Sequence, residues 1–167
     1  MTISMYQASL PVFEHALSNL SKVLEKGAAF AQSKNVDADR LLQQRLIFDM
    51  FPLIKQVQIA CDTAARSAAR LANVEGKAFP DTETTVAQAR ERIAATIAYL
   101  KTFKPAQVDG CEARTIEFKM GPHPVKFTGQ DYLFSYALPN FLFHCVTAYD
   151  ILRTAGAPIG KRDFLGL

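Results

Sequence analysis

The stretch Leu138 to Gly156, LPNFLFHCVTAYDILRTAG, sets a single imidazole, His144, in the middle of an apolar run. Three chemistries are open to a histidine in such a place. It can ligate a divalent metal, move a proton near neutral pH, or make the hydrogen bond that burial of a polar ring demands. The other two histidines offer less. His15 falls about 140° from Leu10 on a helical wheel and so faces solvent. His123 sits in Gly121-Pro122-His123-Pro124, a turn with no acidic residue or second ligand beside it.

The partners available to His144 depend on which helix faces it. On a wheel centred on His144, the residues Ala137, Asn140, Ala148, Ile151 and Ala155 lie within about 40°. These are mostly small, so the ring has room to reach across a bundle. Phe143, Val146, Leu142 and Tyr149 occupy the other sides, and a helix apolar nearly all round must be covered on more than one side. The C-terminal tail and a second subunit are the covers expected. Across the bundle, a helix carrying Gln58 on its inner side, Cys61 in its stripe and Asp62 at its edge is the natural neighbour. Thiolate and carboxylate can replace imidazole around a divalent ion, which makes His144, Cys61 and Asp62 the three-ligand set on offer. The alternative is a buried His144 hydrogen-bonded to Gln58, to Asp62 or to a backbone carbonyl.

Four helical segments and a hairpin would hold these groups. The first, about 4 to 32, repeats Tyr6, Leu10, Phe13, Leu17, Leu20 and Leu24 on one face. The second opens near Asp37 or Asp39 and runs to about Asn73, with Ile47, Met50, Ile54, Val57, Cys61, Ala65 and Ala68 as its inner stripe and Pro52 kinking its outer side. Gly76 and the cap candidates Asp81 and Thr82 separate it from a third, about 84 to 103. Past Pro105 the period turns from helical to alternating. Strands at 115–119 and 125–128 around the turn 121–124 form a hairpin, and a fourth helix runs from about Gln130 to Gly156, with Pro158 beyond it. The order describes one all-α domain over residues 1–167, a four-helix bundle with one long crossover and a short β-hairpin before the last helix.

Composition narrows the function classes. With 49% hydrophobic and 21% charged residues the chain reads as a soluble globular protein. The net charge of +3 is spread along the chain, so no nucleic-acid footprint is expected. Three cysteines without a CxxC pair fit a reducing, cytoplasmic setting better than a disulfide framework. Residues 132–149 carry no charge, yet they include Ser135, Pro139, Asn140, His144 and Thr147 and are flanked by Asp, so a buried helix is expected and no membrane span.

The segments LPNFLFHCVTAYDILRTAGAPIGKRDFLG, FDMFPLIKQVQIACDTAARSAARL and SMYQASLPVFEHALSNL together resemble a small uncharacterised bacterial family of the DinB-like (YfiT-like) metalloenzyme superfamily, over essentially the whole chain. The resemblance implies a four-helix bundle and frequent dimers. In the metal-binding branches it implies zinc or nickel held by one histidine from helix two and an HxxxH pair on the last helix, and in some branches thiol transfer. The sequence departs from that pattern. The i+4 partner of His144 is Ala148, and residues 41–73 contain no histidine.

Two functions follow as expectations. The first is a non-catalytic homodimeric module that binds a small molecule or a protein at a degenerate metal site, with His144, Gln58, Asp62, Asn140 and Tyr149 as pocket residues and no cofactor. The second is a metal-dependent or thiol-transferring enzyme that uses the pocket beside His144, with Tyr149 for acid-base work. The tail is expected to fold back on the bundle through Phe164 and Leu165, since exposing them would forgo roughly 1.5–3 kcal/mol each.

Overall fold

The computed structural model describes residues 3–167. Helix α1 spans Met5–Ser33 and starts at a capping box in which the Ser4 hydroxyl accepts from the Gln7 amide and the Gln7 side chain accepts in return. A 3₁₀ turn, Ala38–Gln43, follows. Helix α2 spans Leu53–Ala72 and α3 spans Val86–Leu100, the latter opened by a second capping box, Thr85 with Gln88. The crossover then holds a single turn, α4 (Pro105–Val108), strand β1 (Thr115–Met120) and strand β2 (His123–Thr128). A turn, α5 (Gly129–Asp131), leads through a π-helical stretch, Tyr132–Ala137, into α6 (Leu138–Thr154), and α7 (Lys161–Leu165) closes the chain.

Helices α1, α2, α3 and α6 form the four-helix bundle, in which both α1 and α2 pack against α3 and against α6. The core is one cluster, with Leu10, Phe13, Leu17, Val57, Cys61, Ala64, Ala68, Ile93, Phe141, Ala148 and Leu152 at its centre. Phe13 and Phe141 meet edge-on at 4.9 Å across it. The expected all-α bundle with a long crossover and a hairpin before the last helix is the observed architecture. Among the described residues no helix is long and apolar enough to cross a membrane.

Helix two differs from the reading of the sequence. It begins at Leu53, and Pro52 is its N-cap, with φ −68° and ψ 166°, rather than a kink within it. A residue before proline is pushed to extended backbone, which stops helix from running through Phe51. The helical spacing of Ile47 and Met50 is therefore not used, and Ile47 is 51% exposed.

The hairpin is longer than the 115–119 and 125–128 of the sequence reading. Its register pairs Met120 with His123, which leaves the two-residue turn Gly121-Pro122. Gly121 has φ +60°, as the first turn position of a II′ hairpin requires. His123 is exposed, as expected. The tail folds back on α1: Asn19 donates to the Phe164 carbonyl at 3.3 Å, His15 Nε2 lies 3.0 Å from the Leu165 carbonyl, and Lys26 pairs with Asp163. Phe164 packs edge-on against Tyr149, while Leu165 stays 42% exposed.

Candidate functional site

Pro139 shapes the segment that carries the site. It lacks the N–H that would bond to the carbonyl of Ser135, and its ring crowds that carbonyl. The backbone just before it widens to π-helical hydrogen bonding over Tyr132–Ala137, a local form often found at functional sites. The result is a row of side chains four residues apart, Tyr132, Tyr136, Asn140 and His144. Three of the four make a polar crossing to α2. Tyr132 Oη is 3.0 Å from Ser67 Oγ, Asn140 Nδ2 donates to Thr63 Oγ1 at 3.1 Å, and His144 Nδ1 is 2.7 Å from Gln56 Oε1. A seam of hydrogen bonds thus runs down an otherwise apolar interface.

His144 is buried at one end of this seam. Its partner is Gln56, not Gln58 or Asp62. The Gln56 amide is oriented by its own Nε2, which donates to the Phe51 carbonyl at 3.0 Å, so Oε1 is left to accept and His144 Nδ1 carries the hydrogen. Burial holds the imidazole below its ordinary pKa and favours the neutral ring.

The other expected site residues are divided among three places. Gln58 lies two residues beyond Gln56, about 200° around the helix, and its Nε2 donates to Glu83 Oε2 at 2.8 Å on the α3 side. Tyr149 packs against the tail. Asp62 and Asn140 come together with Ile59, Thr63, Arg66, Arg70, Phe118, Lys119, Tyr132 and Tyr136 around a cavity of about 200 Å³ between α2, the hairpin and the π-helical turn. The sequence reading did not single out Arg70, Tyr132 or Tyr136; the four-residue spacing that ends at His144 could have pointed to the two tyrosines, but nothing in the local pattern of α2 pointed to Arg70.

The walls of this cavity are fixed from several sides. Tyr132 is fully buried, with its hydroxyl held by Ser67 and by Arg70 Nη1 at 3.1 Å. The Tyr132 and Tyr136 rings stack at 5.7 Å, and Phe118 of β1 meets them at 5.7 and 5.1 Å. The Arg70 guanidinium lies 3.9 Å from the centre of the Phe118 ring. Asp62 faces two arginines, with Oδ1 accepting from Arg92 Nη2 at 2.5 Å and Oδ2 from Arg66 Nη2 at 2.8 Å.

The Arg92 side chain is 2% exposed and also binds Glu83, Asp81 and the Pro80 carbonyl, which pins the loop before α3 onto α2. Burial works against ionising Glu83, but hydrogen bonds from Gln58, its own backbone and Arg92 outweigh it and hold the carboxyl below its usual range.

A zinc or nickel ion does not fit these residues. Among the described residues no group of three or more His, Cys, Asp and Glu side chains is placed to hold a metal. Burial pushes the Cys61 thiol up to about 12, against the pull of Thr96 and Arg92, so it is a protonated core group rather than a thiolate ligand. Both oxygens of Asp62 are taken by arginines, and His144 Nδ1 is taken by Gln56.

No curated protein matches the chain. Among solved structures it is similar to a DinB family member protein from Shewanella denitrificans, with 41% identity and a TM-score of 0.88 over 97% of this chain and 92% of that one. Residues 5–165 match the family described as Domain of unknown function (DUF1993). A match of that extent, together with the DinB-like neighbour, makes the chain a member of the DUF1993 family, an uncharacterised DinB-like family.

Proposed function

We propose that the protein is a non-catalytic, homodimeric binding module whose small-molecule ligand occupies the cavity between α2, the hairpin and the π-helical turn. The observation that carries this reading is the composition of that cavity. Convergent polar groups, Thr63, Arg70, Asn140 and Tyr136, stand against an aromatic wall on rigid elements, the ordinary make-up of a small-molecule site. In this reading the ligand sits a little over one helical turn along the seam from His144, and His144 is a structural residue at a degenerate metal site.

The dimer is supported by α6. Pro139, Leu142, Phe143 and Val146 recur at helical spacing on its outer side, with Leu142 37%, Phe143 54% and Val146 40% exposed. An apolar stripe of this kind on a helix fits a second copy of the chain packed about a two-fold axis.

The ligand reading is tested by mapping amide chemical shifts while single-ring compounds of neutral, cationic and anionic kinds are added. Shifts should cluster on Thr63, Arg70, Phe118, Tyr136 and Asn140, and should shrink in Ile59→Phe, which narrows the cavity. Shifts scattered over the surface, or unchanged by that substitution, would overturn the reading.

A further inference from the structure

We infer that this cavity selects a small ring compound carrying a carboxylate, with Arg70 as the residue that reads the charge. The inference rests on the cavity being the ligand site and adds the chemical class of the ligand.

The argument begins with the charges. Asp62 is the one carboxylate in the lining, and both its oxygens face arginines, Arg92 and Arg66. Behind it Arg92 also meets Asp81 and Glu83, and Lys55 meets Asp81. Arg66, Arg92 and Lys55 thus balance Asp62, Asp81 and Glu83 charge for charge. That leaves Arg70 and Lys119 in the lining with no carboxylate partner among the described residues. The cavity carries a net positive charge.

Arg70 is prepared to use that charge. Its guanidinium is stacked 3.9 Å from the Phe118 ring centre, lies 5.7 Å from that of Tyr132, and donates from Nη1 to the Tyr132 hydroxyl at 3.1 Å. These contacts fix its plane, yet they use one of its five N–H groups. The edge formed by Nε and Nη2 makes no hydrogen bond to protein among the described residues. Such an edge is the fork that takes the two oxygens of a carboxylate, and a guanidinium cannot shed its proton to escape the charge.

Shape supplies the rest of the ligand. A space of about 150 Å³ is enough for a benzene ring, so about 200 Å³ accommodates one ring with a small acidic substituent and excludes a nucleotide. The ring would lie against Phe118 and Tyr136, where the Tyr136 hydroxyl has no protein partner among the described residues and is free to donate to the ligand.

The test is calorimetric titration of the full chain with benzoate, with its neutral isostere benzamide and with acetate, each repeated with chemical-shift mapping. Benzoate should bind once per chain and at least about tenfold more tightly than either of the others, a preference that salt weakens. Arg70→Gln should remove the preference for benzoate over benzamide, and Arg70→Lys, which keeps the charge but not the fork, should restore only part of it. Benzamide binding in the cavity as tightly as benzoate would overturn the carboxylate assignment and leave the cavity reading standing. If none of the compounds shifts the cavity residues, both readings fall. Should Arg70→Gln not fold, the ratio of benzoate to benzamide affinity in the unaltered chain, and its decline with salt, still decides the matter. Undiminished benzoate binding by a folded Arg70→Gln chain would remove Arg70 from the account.

Discussion

His144 and Gln56 form a buried polar pair in which each group's orientation depends on the other. Replacing His144 by Ala leaves Gln56 Oε1 without its donor, at a cost of about 1–3 kcal/mol. Replacing both by Leu removes the donor and the acceptor together and should cost less than the single change. Chemical denaturation of the two variants checks the order. The pair also predicts a pH dependence. In the folded protein burial holds His144 below its ordinary value of 6.5, whereas the unfolded chain titrates near that value. Above about pH 6.5 the ring is neutral in both states and contributes no slope. As the pH falls through that value the unfolded chain takes up a proton that the folded chain resists, so stability drops until the folded value is passed. His144→Ala should flatten this part of the stability curve below about pH 6.5, and an unchanged slope would show that the ring titrates normally in the fold. At this scale the sequence was half legible. That His144 is buried and hydrogen-bonded followed from its apolar surroundings, but the choice of Gln56 over Gln58 needed the true phase of α2 relative to α6.

Element boundaries explain that gap. The hydrophobic period of residues 47–61 continues unbroken across Pro52, so a pattern of side chains alone joins the 44–52 segment to α2. Backbone chemistry separates them, because a residue before proline is disfavoured in a helix and the Leu53 amide bonds to the Gln44 carbonyl at 2.9 Å. The last helix was legible from Gln130 to its stop near Gly156, and its π-helical turn was not, because hydrophobic spacing does not separate α- from π-helical hydrogen bonding and Pro139 alone reads equally as an ordinary kink. Two tests belong to elements. The segment at 129 admits glycine alone: a Cβ there would lie 2.0 Å from the Cys111 carbonyl oxygen, where the crossover is tied down by the Gln130 amide bonding to Glu112. Gly129→Ala should therefore destabilise the fold by about 1–3 kcal/mol, whereas Gly160→Ala, which meets open space, should cost less. Thermal unfolding of the two side by side makes the comparison. Deleting residues 157–167 removes the buried Ala157 and Ile159, the Phe164 contact with Tyr149 and the hydrogen bonds to α1. The loss should lower Tm by at least about 5 °C, and an unchanged melting curve would show that the tail does not contribute to the fold.

For the molecule as a whole, the proposed dimer and the proposed loss of the metal site rest on different surfaces and can be tested separately. Light scattering at micromolar concentration should give twice the 18.5 kDa chain mass, and Phe143→Asp with Val146→Asp should return it to one chain without unfolding the bundle. A single-chain mass for the unaltered protein would remove the dimer and leave the cavity untouched. The DinB-like bundle itself was readable from the sequence, because helical periodicity, caps and the long crossover all act within or between neighbouring segments. The cavity was not, since it assembles Thr63, Arg70, Phe118 and Tyr136 from three elements far apart in the chain. The cavity is not lined by His144, and the His144 Nδ1 is given to Gln56, so the proposed ligand site and the proposed loss of the metal site can be told apart by experiment. The most direct measurement is elemental analysis of tag-free protein, as purified and after dialysis against zinc or nickel followed by metal-free buffer. The account predicts far less than about one ion per chain, with no difference in His144→Ala. About one ion per chain, lost in His144→Ala, would contradict it and restore the metal-dependent enzyme.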